Sequence, residues 1–388
     1  MRVILKKGKD RLVRMGNPWV FSGAVAKTEG ELGSRRLCQV YDFRNSFIGT
    51  GYFNDASAIR VRMLTRREDF TGDDLAFRLR RAVEQRAGLL SPETDSCRLV
   101  NSEGDFLPGL VVDKYGDGLC IQIGTAGMEC WRSSVVEHLK KLLSPAFIYE
   151  RSDTDSRRRE GLEDSEGLLS GDLASQLIIK ENGARYVVDL ASGQKTGFFF
   201  DQRDNRSLLR SYSAGARVCD CFSYSGGFAV NALLGGAQKV TAVDISRNAG
   251  EWVRANAQLS GLGQALEFTT ADVFKYLREC EDSYNLLVLD PPKFARHPGE
   301  VERAARGYKD INMVGLKRLE PGGLLFTFSC SNAVDPYLFR QIVFSAAADA
   351  NRPVQLLHLL SAGPDHPVNI AHREGEYLKG LVLRVAQD

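Results

Sequence analysis

Val218-Cys219-Asp220-Cys221-Phe222-Ser223-Tyr224-Ser225-Gly226-Gly227-Phe228 decides the fold of this 388-residue chain. An apolar run stops at an acid, small residues follow, and an apolar stretch of helical period begins directly after them. That is the pattern of a buried strand, a turn whose backbone can approach a ligand, and a helix. It is not a dinucleotide Gly-x-Gly-x-x-Gly turn, and no Gly-Lys-Ser/Thr follows to make a phosphate loop.

Strands and helices alternate outward from this stretch. Before it, Leu177–Lys180 and Arg185–Asp189 flank Asn182-Gly183, a strong hairpin signal. The spacing predicts strands at Val218–Phe222, Val240–Ile245, Leu266–Thr270, Leu286–Asp290, Leu324–Phe328, Val354–Leu360 and Gly380–Val385. Helices are expected over Phe228–Leu234, Arg247–Leu259, Val273–Glu279, Val301–Leu319 and Pro336–Ala348. Seven strands, the last two joined without a clear helix, fit a Rossmann-like, doubly wound α/β sheet with an antiparallel final strand.

Ligands of such sheets lie beyond the carboxyl ends of the strands. The first strand ends at Asp220, and Phe222, Ser223, Tyr224, Gly226 and Gly227 form the turn after it. The second ends at Asp244, followed by Ile245, where a carboxylate can take ribose hydroxyls. The third ends near Asp272 and Val273, where an acid can meet an adenine edge. Any one of these acids also reads as a helix cap. Three in consecutive turns, with a Gly pair after the first, read as a nucleoside-cofactor site. The progression resembles that of S-adenosylmethionine-dependent methyltransferases of the Rossmann-like class, so S-adenosyl-L-methionine is the expected cofactor. An NAD-dependent enzyme is the structural competitor, and the missing Gly-x-Gly-x-x-Gly and the seven-strand ending weigh against it.

Two further strand ends carry the chemistry. Asp290-Pro291-Pro292-Lys293-Phe294 places a carboxylate on a stiff turn, and Phe328-Ser329-Cys330-Ser331 places a thiol at the end of the expected neighbouring strand. The first motif alone would serve adenine N6 or guanine N2. A thiol beside it shifts the balance to carbon 5 of a pyrimidine, which becomes nucleophilic once a thiolate has added at carbon 6. A buried core thiol is the plainer reading of Cys330, but its Ser neighbours and its strand-end position argue for reactivity.

Asn17-Pro18-Trp19-Val20-Phe21-Ser22-Gly23-Ala24, Lys195-Thr196-Gly197-Phe198-Phe199-Phe200-Asp201-Gln202-Arg203, Leu289-Asp290-Pro291-Pro292-Lys293-Phe294, Arg306-Gly307-Tyr308-Lys309-Asp310-Ile311-Asn312, Phe328-Ser329-Cys330-Ser331 and Asp365-His366-Pro367-Val368 occur in this order. Together they resemble the bacterial 23S ribosomal RNA cytosine-C5 methyltransferases of the large subunit methyltransferase I family, across nearly the whole chain. The resemblance implies a small β-barrel PUA domain that binds RNA (residues 1–72), a central α/β domain (73–180) and a methyltransferase domain (181–388). It implies Cys330 as the nucleophile and Asp290 as the group that holds the cytosine edge and assists protonation at N3. It also implies that Lys195–Arg203 closes over the cofactor, with Gln202 and Arg203 near its methionine end. Lys293 and Phe294 are expected beside the substrate. Two positions depart from the pattern. Asn17 stands where relatives often carry His. Lys293 follows Pro292 where many RNA cytosine-C5 enzymes carry a second cysteine, so one cysteine is expected here, and another base or water takes the C5 proton.

Composition agrees with this frame. Apolar residues make up 43% and charged residues 26%, a balance that supplies a sizeable core. No apolar run approaches the ~18–20 residues that span a bilayer, and no apolar signal stretch follows the basic N-terminus, so the cytoplasm is the expected location and no membrane partner is expected. Eight cysteines without CxxC spacing suit a reducing compartment and no metal; Cys219 and Cys221 read as buried thiols.

The net charge of +2 is unevenly spread: residues 1–86 hold 18 Lys/Arg against 10 Asp/Glu, the remainder 33 against 39. A basic first segment suits a phosphate-rich partner, which the resemblance implies to be 23S ribosomal RNA, with Lys6, Lys7, Arg11, Arg60 and Arg62 as contacts. Trp19 and Phe21 read as core first and as base-stacking groups second. An amphipathic helix is expected over Asp73–Leu90, another over Glu129–Leu143, and Arg151–Gly171 reads as an exposed loop with solvated Arg157-Arg158-Arg159. A homodimer is left open. The competing functions are a base-amino RNA methyltransferase, which would make Cys330 dispensable, and a non-catalytic RNA-binding factor, which would leave the cofactor acids without a purpose.

Overall fold

A computed structural model describes residues 1–174, 176–190, 197–295 and 297–387. The chain divides into two compact units. One comprises Met1–Ile179, Val188–Phe200 and Pro364–Gly375; the other comprises Lys180–Val187, Asp201–Gly363 and Glu376–Asp388.

The first unit contains two sheets. The N-terminal one has six strands in the spatial order Trp19–Phe21, Ile59–Thr65, Phe47–Phe53, Leu37–Tyr41, Arg2–Leu5 and Val25–Glu29. Alternation in Leu37–Tyr41 sends Cys38 and Val40 inward, where they meet Val3, Leu5, Val20 and Val61. The second sheet runs Ser165–Gly171, Phe147–Ser152, Gly118–Ile123, Leu110–Tyr115, Cys97–Asn101. Helix Gly72–Arg86 covers it with Leu75, Leu79 and Ala82, after Thr71 and Asp74 close a reciprocal capping box that fixes the helix start. Helix Arg132–Leu143 adds Val135 and Leu139 to the same core.

The expectation of an exposed loop over Arg151–Gly171 is corrected. Its first residues finish strand Phe147–Ser152, Asp155–Arg159 form a short helix, and Ser165–Gly171 return as the sheet edge. Arg157 is buried, with its guanidinium 2.6 Å from Glu129 and 2.9 Å from the Ile123 carbonyl. Arg158 and Arg159 keep the expected exposure, Arg158 paired to Asp155 and Asp164. A charged stretch reads as solvated when its counter-charges lie elsewhere in the chain.

The second unit is built on one seven-stranded sheet: β1 (Arg217–Cys221), β2 (Lys239–Asp244), β3 (Leu266–Thr270), β4 (Tyr284–Leu289), β5 (Leu319–Ser329), β6 (Val354–Ser361) and β7 (Lys379–Val385). The spatial order is β3-β2-β1-β4-β5-β7-β6, with β7 antiparallel to both of its neighbours and the other pairings parallel. The helices are α1 (Arg203–Ser211), α2 (Gly227–Leu234), α3 (Arg247–Leu259), α4 (Val273–Glu279), α5 (Val301–Lys317) and α6 (Pro336–Asp349). Both faces of the sheet are covered, which is why its strands read as nearly unbroken apolar runs. Leu287 and Leu289 join Leu277, Ile311 and Phe339 on one face, while Leu286 and Val288 join Ala229 and Val253 on the other. Strand order reverses at β1 and β4, so the cleft at their carboxyl ends is the topological switch point. Ahead of the sheet, strands Leu177–Glu181 and Ala184–Val188 make the expected hairpin; Asn182 (φ 49°) and Gly183 (φ 80°) are both left-handed, as a tight two-residue turn requires.

Candidate active site

The loop from β1 to α2 holds three left-handed residues, Phe222 (φ 61°), Tyr224 (φ 48°) and Gly226 (φ 75°). Bulky residues adopt that conformation only where surrounding bonds impose it. Here the Ser223 N–H donates to the Val243 carbonyl at 3.2 Å and the Gly226 N–H to the Ser223 carbonyl at 2.7 Å. The Tyr224 and Ser246 N–H groups donate to the two oxygens of Asp244 at 3.0 and 2.9 Å, so this carboxylate braces the turn after β1 as well as its own. A side chain at Gly226 would place its Cβ 3.1 Å from Val253, which keeps the loop tight against α3. At Gly227 the neighbour is Arg206, 3.0 Å from such a Cβ.

Asp220 lies beneath this loop, 1% exposed, and accepts the Ala229 N–H at 3.0 Å. Burial pushes its carboxyl up to about 8; Asp290 and Asp244 add to the rise, and the Ala229 bond and Arg206 oppose it. Arg206 is itself held by Glu181 through two bonds of 2.7 and 2.6 Å. Arg203 is also buried, with Nε 3.8 Å from the same carboxylate. Asp272 caps α4 by accepting the Lys275 N–H at 2.9 Å, and Val273 is buried behind it. Ile245 stands out from the surface, 73% exposed, next to Asp244.

The second half of the site joins β4 to β5. These strands are parallel, with Leu289 opposite Thr327, so Asp290 and Cys330 leave the same edge of the sheet. Cys330 Sγ lies 3.9 Å from the Pro291 carbonyl oxygen. Gln202 Nε2 donates to Asp290 Oδ2 at 3.0 Å, and Asn205 Nδ2 donates to Gln202 Oε1 at 2.6 Å. The turn after Asp290 is locked from β5: Ser331 Oγ accepts the Ala295 N–H at 3.2 Å and meets the Tyr308 hydroxyl at 2.9 Å. Phe294 stacks on Tyr308 with centroids 4.6 Å apart. Gly307 permits that packing, since a Cβ there would come within 3.2 Å of the Phe294 ring. The Arg306–Asn312 motif is thus a scaffold for the Asp290 turn.

The residues of the first half fit a nucleoside-type methyl donor. The Ser223 hydroxyl is buried in the turn with no hydrogen-bond partner among the described residues, and a buried hydroxyl in that state calls for one. It stands with the Asp244 carboxylate, the exposed Ile245 side chain and the tight Gly226 turn, which together supply polar and apolar contacts along one strand-end cleft.

Comparison with known proteins agrees. The family model for S-adenosylmethionine-dependent methyltransferases matches residues 152–380, and that for PUA-like domains matches residues 3–66. Ribosomal RNA large subunit methyltransferase I of Klebsiella pneumoniae (strain 342) is 41% identical over 392 residues, covering 99% of this chain and 98% of the relative. The protein of that name from Aeromonas hydrophila is 42% identical, covering 98% of each. The chain belongs to the ribosomal RNA large subunit methyltransferase I family. Among solved structures, a Streptococcus mutans chain assigned to the SAM-dependent methyltransferases aligns with TM-score 0.85 at 23% identity, covering 99% of this chain and all of that one. A methyltransferase complexed with SAH aligns at TM-score 0.87, also 23% identical, covering 99% and 100%. This large subunit methyltransferase I family member is therefore an S-adenosylmethionine-dependent methyltransferase with an N-terminal PUA-like domain and a Rossmann-like catalytic fold.

In this family member the segment expected over the cofactor is divided. Lys195 and Thr196 lie outside the described residues; Phe198 and Phe200 are buried in the first unit, Phe200 against Tyr115 at 5.2 Å; Gln202 and Arg203 belong to the second unit. Of the expected RNA contacts, Lys6, Lys7 and Arg11 are exposed, and Arg60 is half-buried, donating to the Asn54 carbonyl at 3.1 Å. Arg62 is corrected. It is buried between Glu103 at 2.9 Å and Glu160 at 3.0 Å, so it has no face for a phosphate. Trp19 belongs to that cluster: its indole N–H donates to Glu103 at 2.8 Å, and its ring meets His372. Sequence reasoning missed Lys379, whose buried ammonium donates to the Ser331 and Val334 carbonyls at 2.7 and 2.6 Å. The expected strand began one residue later, at Gly380, and a lysine at a strand's first position reads as exposed.

Proposed function

We propose that the chain forms 5-methylcytosine in 23S ribosomal RNA through a transient bond between Cys330 and carbon 6 of the base. One observation carries this reading: the thiol of Cys330 and the carboxylate of Asp290 leave neighbouring parallel strands at one sheet edge, with Sγ 3.9 Å from the carbonyl of the residue after Asp290. The names of the relatives supply the large-subunit RNA, and the PUA-like domain supplies a means of holding it. Residues 1–72 would grip phosphates through Lys6, Lys7 and Arg11. Residues 73–180 would form the intervening α/β domain, and residues 181–388 would hold the methyl donor and the base.

The target cytosine leaves its stack and enters the strand-end cleft, since its ring atoms are unreachable inside a helix. Asp290, oriented by Gln202, takes the N3/N4 edge, with Phe294 and Lys293 on the same turn beside the base. The Cys330 thiolate adds to C6, and the electron pair of the C5–C6 double bond moves to C5 as N3 is protonated. S-adenosylmethionine, held by the turn 222–227, Asp244, Ile245 and the Asp272–Val273 turn, would supply a methyl group on a sulfonium centre. C5 would take that methyl group as its bond to the sulfonium breaks and leaves a neutral thioether, and C5 would then lose its proton to water. The pair returns to the C5–C6 bond, the C6–S bond breaks to release the thiolate, and N3 gives back the proton it had taken.

The test is methyl transfer to unmodified 23S RNA by wild type and Cys330→Ala, with the product nucleoside identified by mass spectrometry. The expected result is 5-methylcytosine from wild type and none from the variant. Full activity in the variant would sink the covalent step, and a methylated guanine or adenine would sink the choice of base.

A further inference from the structure

Lys379 opens β7 as an interior strand, opposite Ser329 of β5 on one side and Ser361 of β6 on the other. Its side chain is 5% exposed, and no carboxylate among the described residues lies within ion-pair distance of its ammonium. An ammonium taken out of water without a counter-ion is costly. Two of its three N–H groups go to the Ser331 and Val334 carbonyls, which belong to the turn that follows Cys330. The strand is pressed close there: a Cβ at Gly380 would sit 2.5 Å from the Phe328 ring, so β7 cannot draw back from β5 without opening the core.

We propose that Lys379 is a positioning residue for Cys330: its buried ammonium holds the turn that follows the thiol and acts as the counter-charge that favours the thiolate. The proton lost from the thiol passes to solvent, and the ammonium keeps its own proton at neutral pH. This inference rests on the assignment of Cys330 as the nucleophile.

The charges around Lys379 agree with that role. Burial pushes its ammonium down to about 8; Cys330 is the leading group acting against the push, Asp335 is the second, and Lys293 adds to the fall. Asp335 is engaged in capping α6 through the Leu338 N–H at 2.8 Å. A lysine that only tied down a turn would do so as well at the surface, where its charge costs little. Burial beside a thiol instead makes the charge felt, because the screening water is gone.

The experiment is alkylation of the full-length chain by iodoacetamide between pH 5 and 9, without RNA or methyl donor, with Cys330 followed at peptide level and the exposed Cys130 as internal control. In the wild type, Cys330 should react with a midpoint below the ordinary thiol value of about 8.5. In Lys379→Met, which keeps the stem and removes the charge, Cys330 alkylation at pH 7 should slow roughly tenfold and its profile move to higher pH, while Cys130 is unchanged. An unchanged Cys330 profile in a folded Lys379→Met chain overturns the proposal. Should that variant fail to fold, the wild type decides alone, since a midpoint at or above 8.5 also overturns it. The assay needs no turnover, so its outcome is separate from that of the Cys330→Ala methylation test.

Discussion

Gln202 donates its side-chain N–H to Asp290 Oδ2 at 3.0 Å, tying the carboxylate at the end of β4 to the residue that precedes α1. Gln202 is fixed in turn by Asn205, which also donates to the Ser361 carbonyl at 3.1 Å. A side chain expected at the methionine end of the cofactor therefore orients the group proposed to hold the base.

Gln202→Leu should act on the base-binding step. It removes a bond to a carboxylate and takes from Asn205 one of its two acceptors, a loss of about 1.5–3 kcal/mol. The expected outcome is a fall in kcat of roughly 10–100-fold, with the S-adenosylmethionine Kd from calorimetry within a few-fold of wild type. Weakened cofactor binding with kcat unchanged would return Gln202 to the methionine end.

Arg62 and the pair Lys6 and Arg11 should separate cleanly. Arg62→Ala strands Glu103 and Glu160 in a buried site, which costs about 3–5 kcal/mol and should appear as a lowered urea midpoint. Lys6→Ala with Arg11→Ala should leave that midpoint alone, weaken RNA binding and flatten its dependence on salt by up to two contacts. A selective loss of RNA affinity in Arg62→Ala, with stability intact, would contradict its burial.

Asp220 predicts a pH dependence of stability. Its carboxyl titrates near 8 in the folded chain and about 3.9 when unfolded. Between those values the unfolded chain has lost the proton that the native state keeps, so the native state loses stability as pH rises through that window. Asp220→Asn retains an acceptor for the Ala229 N–H and removes the titration. Its Tm relative to wild type should therefore climb from pH 5 to pH 8. A constant difference across that range would show that Asp220 ionises normally.

Ser331→Ala should loosen the Asp290 turn. It leaves the buried Ala295 N–H without its acceptor, at about 1–3 kcal/mol, and takes from the Tyr308 hydroxyl one of its two serine partners. Methyl transfer should fall by at least an order of magnitude, and Ser331→Thr, which keeps the hydroxyl, should recover part of it.

The seven strands and five of the six helices of the second unit were legible to within a few residues, because a sheet covered on both faces demands apolar runs and the helices between them keep a 3.6-residue period. The strand ends were legible for the same reason: where the apolar run stops, the side chains face the cleft. Strand Ser165–Gly171 was not, since it holds only Leu168 and Leu169 and forms as a sheet edge through backbone bonds to Phe147–Ser152. Helix Arg203–Ser211 was missed because Arg203, Asn205 and Arg206 supply most of its buried face.

The sequence by itself determined the order of the sheet elements, the acids at or near the ends of the first three strands, and the presence of Asp290 and Cys330 at strand ends, all consequences of local period and local turn chemistry. The tertiary structure alone decided which charges are buried and what they meet. Arg62 finds Glu103 and Glu160 at 41 and 98 residues' distance, and Lys379 finds Ser331 at 48. A charged side chain reads as solvated in any local window, and only the packed chain can bring the partners that let it be buried.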